Sequence, residues 1–388
     1  MNNTMKVYTD DQVFAKIKRF VATHPLRKEK VTNNRVLIIK NDGIGDMILF
    51  FDAAKELKKL YKDKDLSLIC PPNVAVIAEN SGYFDHVYTF EKGLFNIKKW
   101  KKCREIAEQF DAEVLIAPSI SRDVATELLN LFIVANRRIS VNYTCIFGAK
   151  YREYFLSQYD EVVDIPFNEH CLKQNQRLVY YLGGEKYQTN YPILPKVNSC
   201  KFPLPKKYYV VFLGGSTTAK KLEEEKYLEV VKYLKDKTDA VPLLMGGWYD
   251  RIQEDVFRNA NIKYYSLIAK TDIYELEYVI ANAIFVIGND TSAIHMAISY
   301  NVPVLAISSA VSGQRFYPYY IESEDKRIVR VIKKEIDCSC CSFQYDTFVK
   351  CIGIENVGVK KKKCLSLITA EDIIEEANLL LKEIQEEK

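Results

Sequence analysis

Short apolar runs, each bounded by polar or glycine-containing turns, recur along the first half of the chain: RVLIIK (35–40), LSLIC (66–70), HVYTF (86–90), EVLIAP (113–118), RISV (138–141) and EVVDI (161–165). They are too short for helices and read as strands. Between them lie segments with apolar residues at helical spacing, over 47–61, 73–80, 96–110, 123–135 and 169–182. Strands alternating with helices predict a doubly wound parallel sheet. The pattern lapses over 183–206, which carries four prolines and two glycines, and then restarts. Strands are expected at 208–215, 241–247 and 263–269, with helices at 223–237, 250–260 and 272–281.

The predicted organisation is therefore a basic amphipathic extension (1–34), a first α/β domain (35–190), a linker (191–206), a second α/β domain with a cysteine-rich tail (207–368) and a closing helix (369–388). That last helix opens at Thr369 with acidic residues in its first turn and has an apolar stripe through Ile373, Ala377, Leu380 and Ile384. Two α/β domains in succession imply a cleft between them, a favoured place for a ligand.

The most informative stretch is AIFVIGNDTSAIHMAISYNVPVLAIS (283–308). It reads as a buried strand, a polar turn at Gly288, Asn289 and Asp290, a helix opening at Thr291, and a second buried strand. A helix N-terminus at the carboxyl end of a parallel strand offers unpaired N–H groups and a positive dipole end to an anion such as phosphate. Thr291 and Ser292 add hydroxyls there. His295, one turn on from Thr291, shares its face. Asp290 would repel a phosphate and is better suited to a sugar hydroxyl or to the helix's own N–H groups. A simple N-cap at Asp290 or Thr291, with His295 a satisfied helix residue, explains the same pattern. In the first domain, NDGIGD (41–46) places Gly43 and Gly45 at a strand end, but Ile48 occupies the third position of a dinucleotide fingerprint, so GxGxxG is absent. The turn supplies a carboxylate, Asp46, which also reads as an N-cap for the helix from Met47.

Composition narrows the setting. With 388 residues, 48% hydrophobic, 27% charged and a net charge of +4, the chain has full cores and no footprint of a dedicated nucleic-acid binder. There is no apolar run of transmembrane length and no secretory-signal pattern, so the expectation is a cytoplasmic protein with its ten cysteines as thiols or metal ligands. Two basic segments, 10–30 and the Lys98, Lys99, Lys101, Lys102, Arg104 run beside Phe95 and Trp100, suit either packing and solvent or an anionic membrane surface. Cys338, Cys341, Cys351 and Cys364 form a candidate structural zinc set, against free thiols as the alternative.

The combination IIKNDGIGDMILFFDA, FLGGSTTAKK, LLMGG and IGNDTSAIHMAISYNVPVLAI, in that order over residues 35 to 310, resembles glycosyltransferase family 9, the bacterial heptosyltransferases. The resemblance implies a GT-B fold, two Rossmann-like domains facing across a cleft, with nucleotide sugar on the second, acceptor on the first, and the final helix crossing back to the first. It implies Asp46 as catalytic base, Lys220 facing the donor phosphates, and Asp290, Thr291 and His295 as the donor motif. Ser292 replaces the family's usual glycine, and Leu222-Glu223 stands where tryptophan-proline is common. The implied reaction is inverting transfer of a sugar, heptose among the candidates, from a nucleoside-diphosphate donor such as ADP-heptose to lipopolysaccharide or another surface-glycan acceptor, at the cytoplasmic face of the inner membrane. A carboxylate can take the acceptor's proton, and Lys220 with the helix N-terminus can stabilise the departing diphosphate, so no metal cofactor is required. Trp248 and Tyr249 are candidates to wall the base. A sugar-nucleotide epimerase or hydrolase, and a non-catalytic glycan- or nucleotide-binding assembly protein, are the competing readings.

Overall fold

A computed structural model describes residues 10–24, 26, 29–91, 97–143, 149–166, 169–215, 220–309, 313–336 and 363–387. Twelve described strands form two parallel six-stranded sheets. The first comprises β1 (Arg35–Ile39), β2 (Asp65–Cys70), β3 (His86–Thr89), β4 (Asp111–Ala117), β5 (Val134–Val141) and β6 (Glu161–Val163), in the order β3-β2-β1-β4-β5-β6. The second comprises β7 (Tyr208–Phe212), β8 (Val241–Met245), β9 (Tyr265–Ser266), β10 (Val286–Asn289), β11 (Val304–Ile307) and β12 (Val329–Ile332), in the order β12-β11-β10-β7-β8-β9. Each order reverses beside its first strand, between β1 and β4 and between β7 and β10. Ligands of such sheets bind beyond the carboxyl ends of the strands at that switch point.

The central strands are apolar on both faces because helices cover both faces. In β1, Val36 and Ile38 enter one core while Leu37 and Ile39 enter the other, and all four are inaccessible to solvent. The N-terminal helix Asp10–Thr23 buries Val13, Ile17 and Phe20 in the second of these cores, with Phe20 edge-on to Trp100 and Phe132. Its apolar stripe is thus covered by the first domain. No described helix is long and apolar enough to cross a membrane.

Several elements differ from the sequence expectation. The helix expected from Met47 to Tyr61 is two helices, Ile44–Ile48 and Phe51–Leu60, separated at Leu49 and Phe50. Gly288 and Asn289 belong to β10 rather than to a turn. Helix Ala149–Leu156 and the edge strand β12 were not anticipated.

The closing helix, Ala370–Glu386, does not cross to the first domain. Ile373, Ala377 and Leu380 pack into the second domain's core with Tyr227 and Val231, and Arg330 of β12 bonds Glu376 at 2.6 Å and Glu383 at 2.5 Å. Its apolar stripe and its acidic face both find their complements on β12 and helix Glu224–Leu234, which holds it there. The chain instead meets the first domain through residues 316–323. Phe316, Tyr319 and Ile321 pack on Leu49, Cys171 and Leu172, and Gln176 donates to Glu322 at 2.5 Å. The segment leading into the linker is fastened to the first domain, where the Tyr187 hydroxyl and the Asn190 N–H both donate to Asp52.

Gly288 shows how tightly the second switch point is built. A Cβ there would lie 2.8 Å from the Phe212 carbonyl oxygen and 2.9 Å from the Phe212 Cβ, both on the neighbouring strand β7. Gly288→Ala is expected to lower the unfolding free energy by about 1–3 kcal/mol through overpacking. Chemical denaturation measures it, and unchanged stability would contradict the close β7–β10 approach.

Candidate active site

At the carboxyl end of β1 the chain forms a small polar frame. Lys40 Nζ lies 2.7 Å from Asp42, and Ser119 Oγ donates to Asp42 at 2.5 Å. Asn41 Nδ2 donates to Thr126 Oγ1 at 2.8 Å. Gly43 takes the N-cap position of helix Ile44–Ile48, so Asp46 stands inside the first turn and is not a cap. Its carboxylate is about one-third exposed, and Oδ1 lies 3.5 Å from Nη2 of Arg315.

In the second domain, Asn289 organises the opposite wall. Fully buried at the end of β10, it accepts from the Leu222 N–H at 2.9 Å and the Tyr227 hydroxyl at 3.0 Å, and donates to the carbonyls of Leu213 at 3.0 Å and Gly214 at 3.1 Å. One side chain thereby ties both ends of the loop carrying Lys220 to the strand that presents Asp290 and Thr291. Thr291 is the N-cap of helix Ser292–Ser299, yet its hydroxyl makes no capping bond, and its Oγ1 is buried without a hydrogen-bond partner among the described residues. A cap alone would have used that oxygen. Lys220 makes no ion pair among the described residues and lines the cavity described below. Lys221 does not line it and is held in a buried ion pair with Asp250, a residue of the cavity wall whose other oxygen accepts from the Gly247 N–H at 2.6 Å.

His295 is the wedge between the domains. It is 3% exposed, with Nδ1 2.6 Å from the Tyr319 hydroxyl, Nε2 3.8 Å from Asp290, and its ring stacked on Tyr317 at 5.6 Å. Burial pushes its pKa down, against the opposing pull of Asp290 and Asp46, which favours the neutral imidazole. It also lines the cavity beside Asp290 and Ser292. A Cβ on Gly45 would lie 3.0 Å from its Cδ2 and 3.6 Å from Ser292 Cα, so Gly45 is what lets the two helices touch. Close approach at this junction comes from the first domain's glycine, which is compatible with serine at position 292. His170, the N-cap of helix Cys171–Tyr181, lies edge-on to Tyr319, and burial lowers its pKa to about 4.

These residues enclose a cavity of about 440 Å³ whose walls include Gly43, Asp46, Lys220, Asp290, Thr291, Ser292 and His295. All six residues expected at the site, Asp46, Lys220, Asp290, Thr291, Ser292 and His295, are brought together there. Tyr249 also lines it, whereas Trp248 does not and is largely exposed, with the Arg251 guanidinium 3.6 Å over one face of its ring. Next to it, a much smaller pocket of about 30 Å³ is lined by Lys40, Asp42, Leu49, Gln174 and Asn175 of the first domain and by Arg315 of the second. Asp46 lines both, and no other described residue does. Arg315, Phe316, Tyr317 and Tyr319 escaped sequence reasoning; they follow β11 in a segment without periodicity, and only the aromatic cluster FYPY marked them. Of the candidate zinc ligands, Cys338, Cys341 and Cys351 lie outside the described residues, and Cys364 is buried in helix Lys363–Ser366.

Two doubly wound domains meeting at their switch points, with a basic and dipolar wall on one side and a carboxylate on the other, define a GT-B glycosyltransferase. The chain belongs to glycosyltransferase family 9 (heptosyltransferase), whose description matches residues 123–342, more than half of the sequence. A solved family 9 glycosyltransferase from Veillonella parvula superposes with a TM-score of 0.68 at 17% identity, over 90% of this chain and 97% of that one. The E. coli ADP-heptose LPS heptosyltransferase II superposes at 0.64 with 18% identity, over 91% and 100%. E. coli heptosyltransferase WaaC with ADP superposes at 0.63 with 16% identity, over 89% and 99%. No curated protein matches by sequence.

Adjacent lysines should behave differently. Lys221→Ala leaves Asp250 buried and unpaired and is expected to cost about 3–5 kcal/mol of stability. Lys220→Ala is expected to leave stability within about 0.5 kcal/mol of the parent while abolishing stabilisation by a nucleoside diphosphate. Denaturant melts with and without ADP separate the two, and equal effects would contradict the assignment of Lys220 to the cavity.

Proposed function

We propose that this glycosyltransferase moves a heptose-class sugar, with inversion, from a nucleoside-diphosphate donor, ADP-heptose first among candidates, to a lipopolysaccharide or related surface-glycan acceptor, with Asp46 as general base. The observation that carries this reading is the position of Asp46 as the one described residue common to the two pockets. A base for glycosyl transfer must reach the acceptor hydroxyl on one side and face the anomeric carbon on the other.

In this scheme the acceptor O–H gives its proton to Asp46 as the new C–O bond forms and the bond from the anomeric carbon to the diphosphate oxygen breaks. One displacement inverts the anomeric centre. The negative charge on the departing diphosphate is met by Lys220, the Thr291 hydroxyl and the N–H groups opening helix Ser292–Ser299. Tyr249, 87% exposed on the cavity rim, suits a wall for the nucleobase. The adenine donor is supported by the relatives solved with ADP and with an ADP-heptose analogue. Contact with anionic lipid, the expected setting of a glycolipid acceptor, is assigned to the exposed Lys16, Lys18, Arg19, Lys101 and Lys102. It is electrostatic only, because the apolar stripe of helix Asp10–Thr23 is occupied in the core.

Two measurements test the proposal. In a thermal-shift panel of ADP, UDP, GDP and ADP-heptose, the adenine nucleotides are expected to raise the melting temperature by mass action, and no shift with any nucleotide would contradict the donor site. Asp46→Asn is expected to lower kcat by roughly 100-fold or more while retaining the ADP shift; retained turnover would remove Asp46 from the role of base.

A further inference from the structure

We infer that Arg315 is a positioning residue for the reaction: supplied by the second domain, it holds Oδ1 of Asp46 across the cleft and leaves Oδ2 as the oxygen that receives the acceptor's proton. The inference rests on the reading of Asp46 as base.

Arg315 lies in the short helix Gly313–Phe316 that follows β11, while Asp46 belongs to the helix that follows β1. Their side chains approach to 3.5 Å, with Arg315 13% exposed and Asp46 34%. The guanidinium lies over the ring of Phe316 at 4.9 Å, and that ring meets His295 edge-on at 5.7 Å. His295 in turn closes on Gly45, the residue before Asp46. Two consecutive first-domain residues are therefore held by neighbouring second-domain groups: Gly45 by the imidazole, Asp46 by the guanidinium.

The other cation of the acceptor-side pocket, Lys40, is engaged with Asp42 at 2.7 Å, and Asp42 also accepts from Ser119. Lys40 thus leaves Asp46 to Arg315. Arg315 lines the acceptor-side pocket and not the donor cavity. On the Oδ2 side stands Gly43, whose missing Cβ would lie 3.6 Å from that oxygen, so the approach to Oδ2 carries no side chain from position 43. At 3.5 Å the contact is an ion pair, and the planar guanidinium, seated over Phe316, fixes the side from which its charge meets the carboxylate. Because the pair spans the domains, the base acquires this orientation only while they are apposed, which couples proton acceptance to closure.

The test is a kinetic cycle on the full-length enzyme with Arg315→Ala, Arg315→Lys, Asp46→Asn and the Asp46→Asn/Arg315→Ala double variant. Arg315→Ala is expected to lower kcat roughly 10- to 100-fold, the scale of a misplaced catalytic group, with the donor KM and the ADP thermal shift unchanged. Guanidinium added to Arg315→Ala should restore part of the rate, and Arg315→Lys should fall between. In the Asp46→Asn background, Arg315→Ala should cost nothing further, because its effect passes through Asp46. An unchanged kcat in Arg315→Ala, a loss confined to acceptor KM, or an additive loss in the double variant overturns the inference while leaving Asp46 as base. Turnover retained by Asp46→Asn would instead overturn the parent reading. Should Arg315→Ala fail to fold, Arg315→Lys decides: a kcat equal to the parent's overturns the inference, and a reduced kcat with an intact ADP shift supports it.

Discussion

The contact on which the site depends is between two short helices, Ile44–Ile48 of the first domain and Ser292–Ser299 of the second. It exists because Gly45 has no side chain where the ring of His295 passes. A Cβ there would sit 3.0 Å from the ring, so the imidazole or one of the helices would have to give by a few tenths of an ångström at the point where the Asp46 and Thr291 segments meet. The remaining cross-cleft contacts cluster around this point. Arg315 reaches Asp46, Phe316 and Tyr319 pack on Leu49 and Cys171, and Glu322 accepts from Gln176.

Each half of the site is also rigid in its own domain, for different reasons. On the donor side a single buried amide, Asn289, satisfies four groups and so fixes the loop bearing Lys220 against the strand bearing Thr291. Losing it would leave several buried polar groups without partners, which is more costly than the loss of one bond. On the acceptor side the frame is ionic, with Lys40, Asp42 and Ser119 closing the end of β1. The two sides are thus held differently, the loop bearing Lys220 by a buried amide and the end of β1 by an ionic frame.

Much of this was legible in the sequence. Strands buried on both faces appear as unbroken apolar runs, so RVLIIK and the apolar runs around Gly288 declared a doubly wound sheet. Asp46, Thr291 and Lys220 lie at strand ends, where such sheets put their ligands. What stayed hidden depends on tertiary contacts. Periodicity does not tell Lys220 from Lys221; the family resemblance singles out Lys220, and the ion pair of Lys221 with Asp250 shows what the second lysine does instead. Arg315 and the aromatic residues after it lie in a segment without periodicity, and their role arises from a partner some 270 positions earlier in the chain. The closing helix was read correctly as an amphipathic helix, but its docking partner was decided by Arg330 and by the open face of β12, neither of which its own sequence reveals. Asp46 reads as a cap because the sequence predicts the helix to begin at Met47, three residues later than its observed start at Ile44.

The central claim is that the cleft places the Asp46 carboxylate and the donor diphosphate on opposite sides of one sugar carbon. A crystal structure with an unreactive ADP-heptose analogue tests this most directly. The account predicts the diphosphate against Lys220, the Thr291 hydroxyl and the N–H groups of Ser292–Ser299, with the anomeric carbon facing Asp46 on the side away from the phosphate. A diphosphate bound elsewhere, or an anomeric carbon whose free face is turned from Asp46, would contradict it.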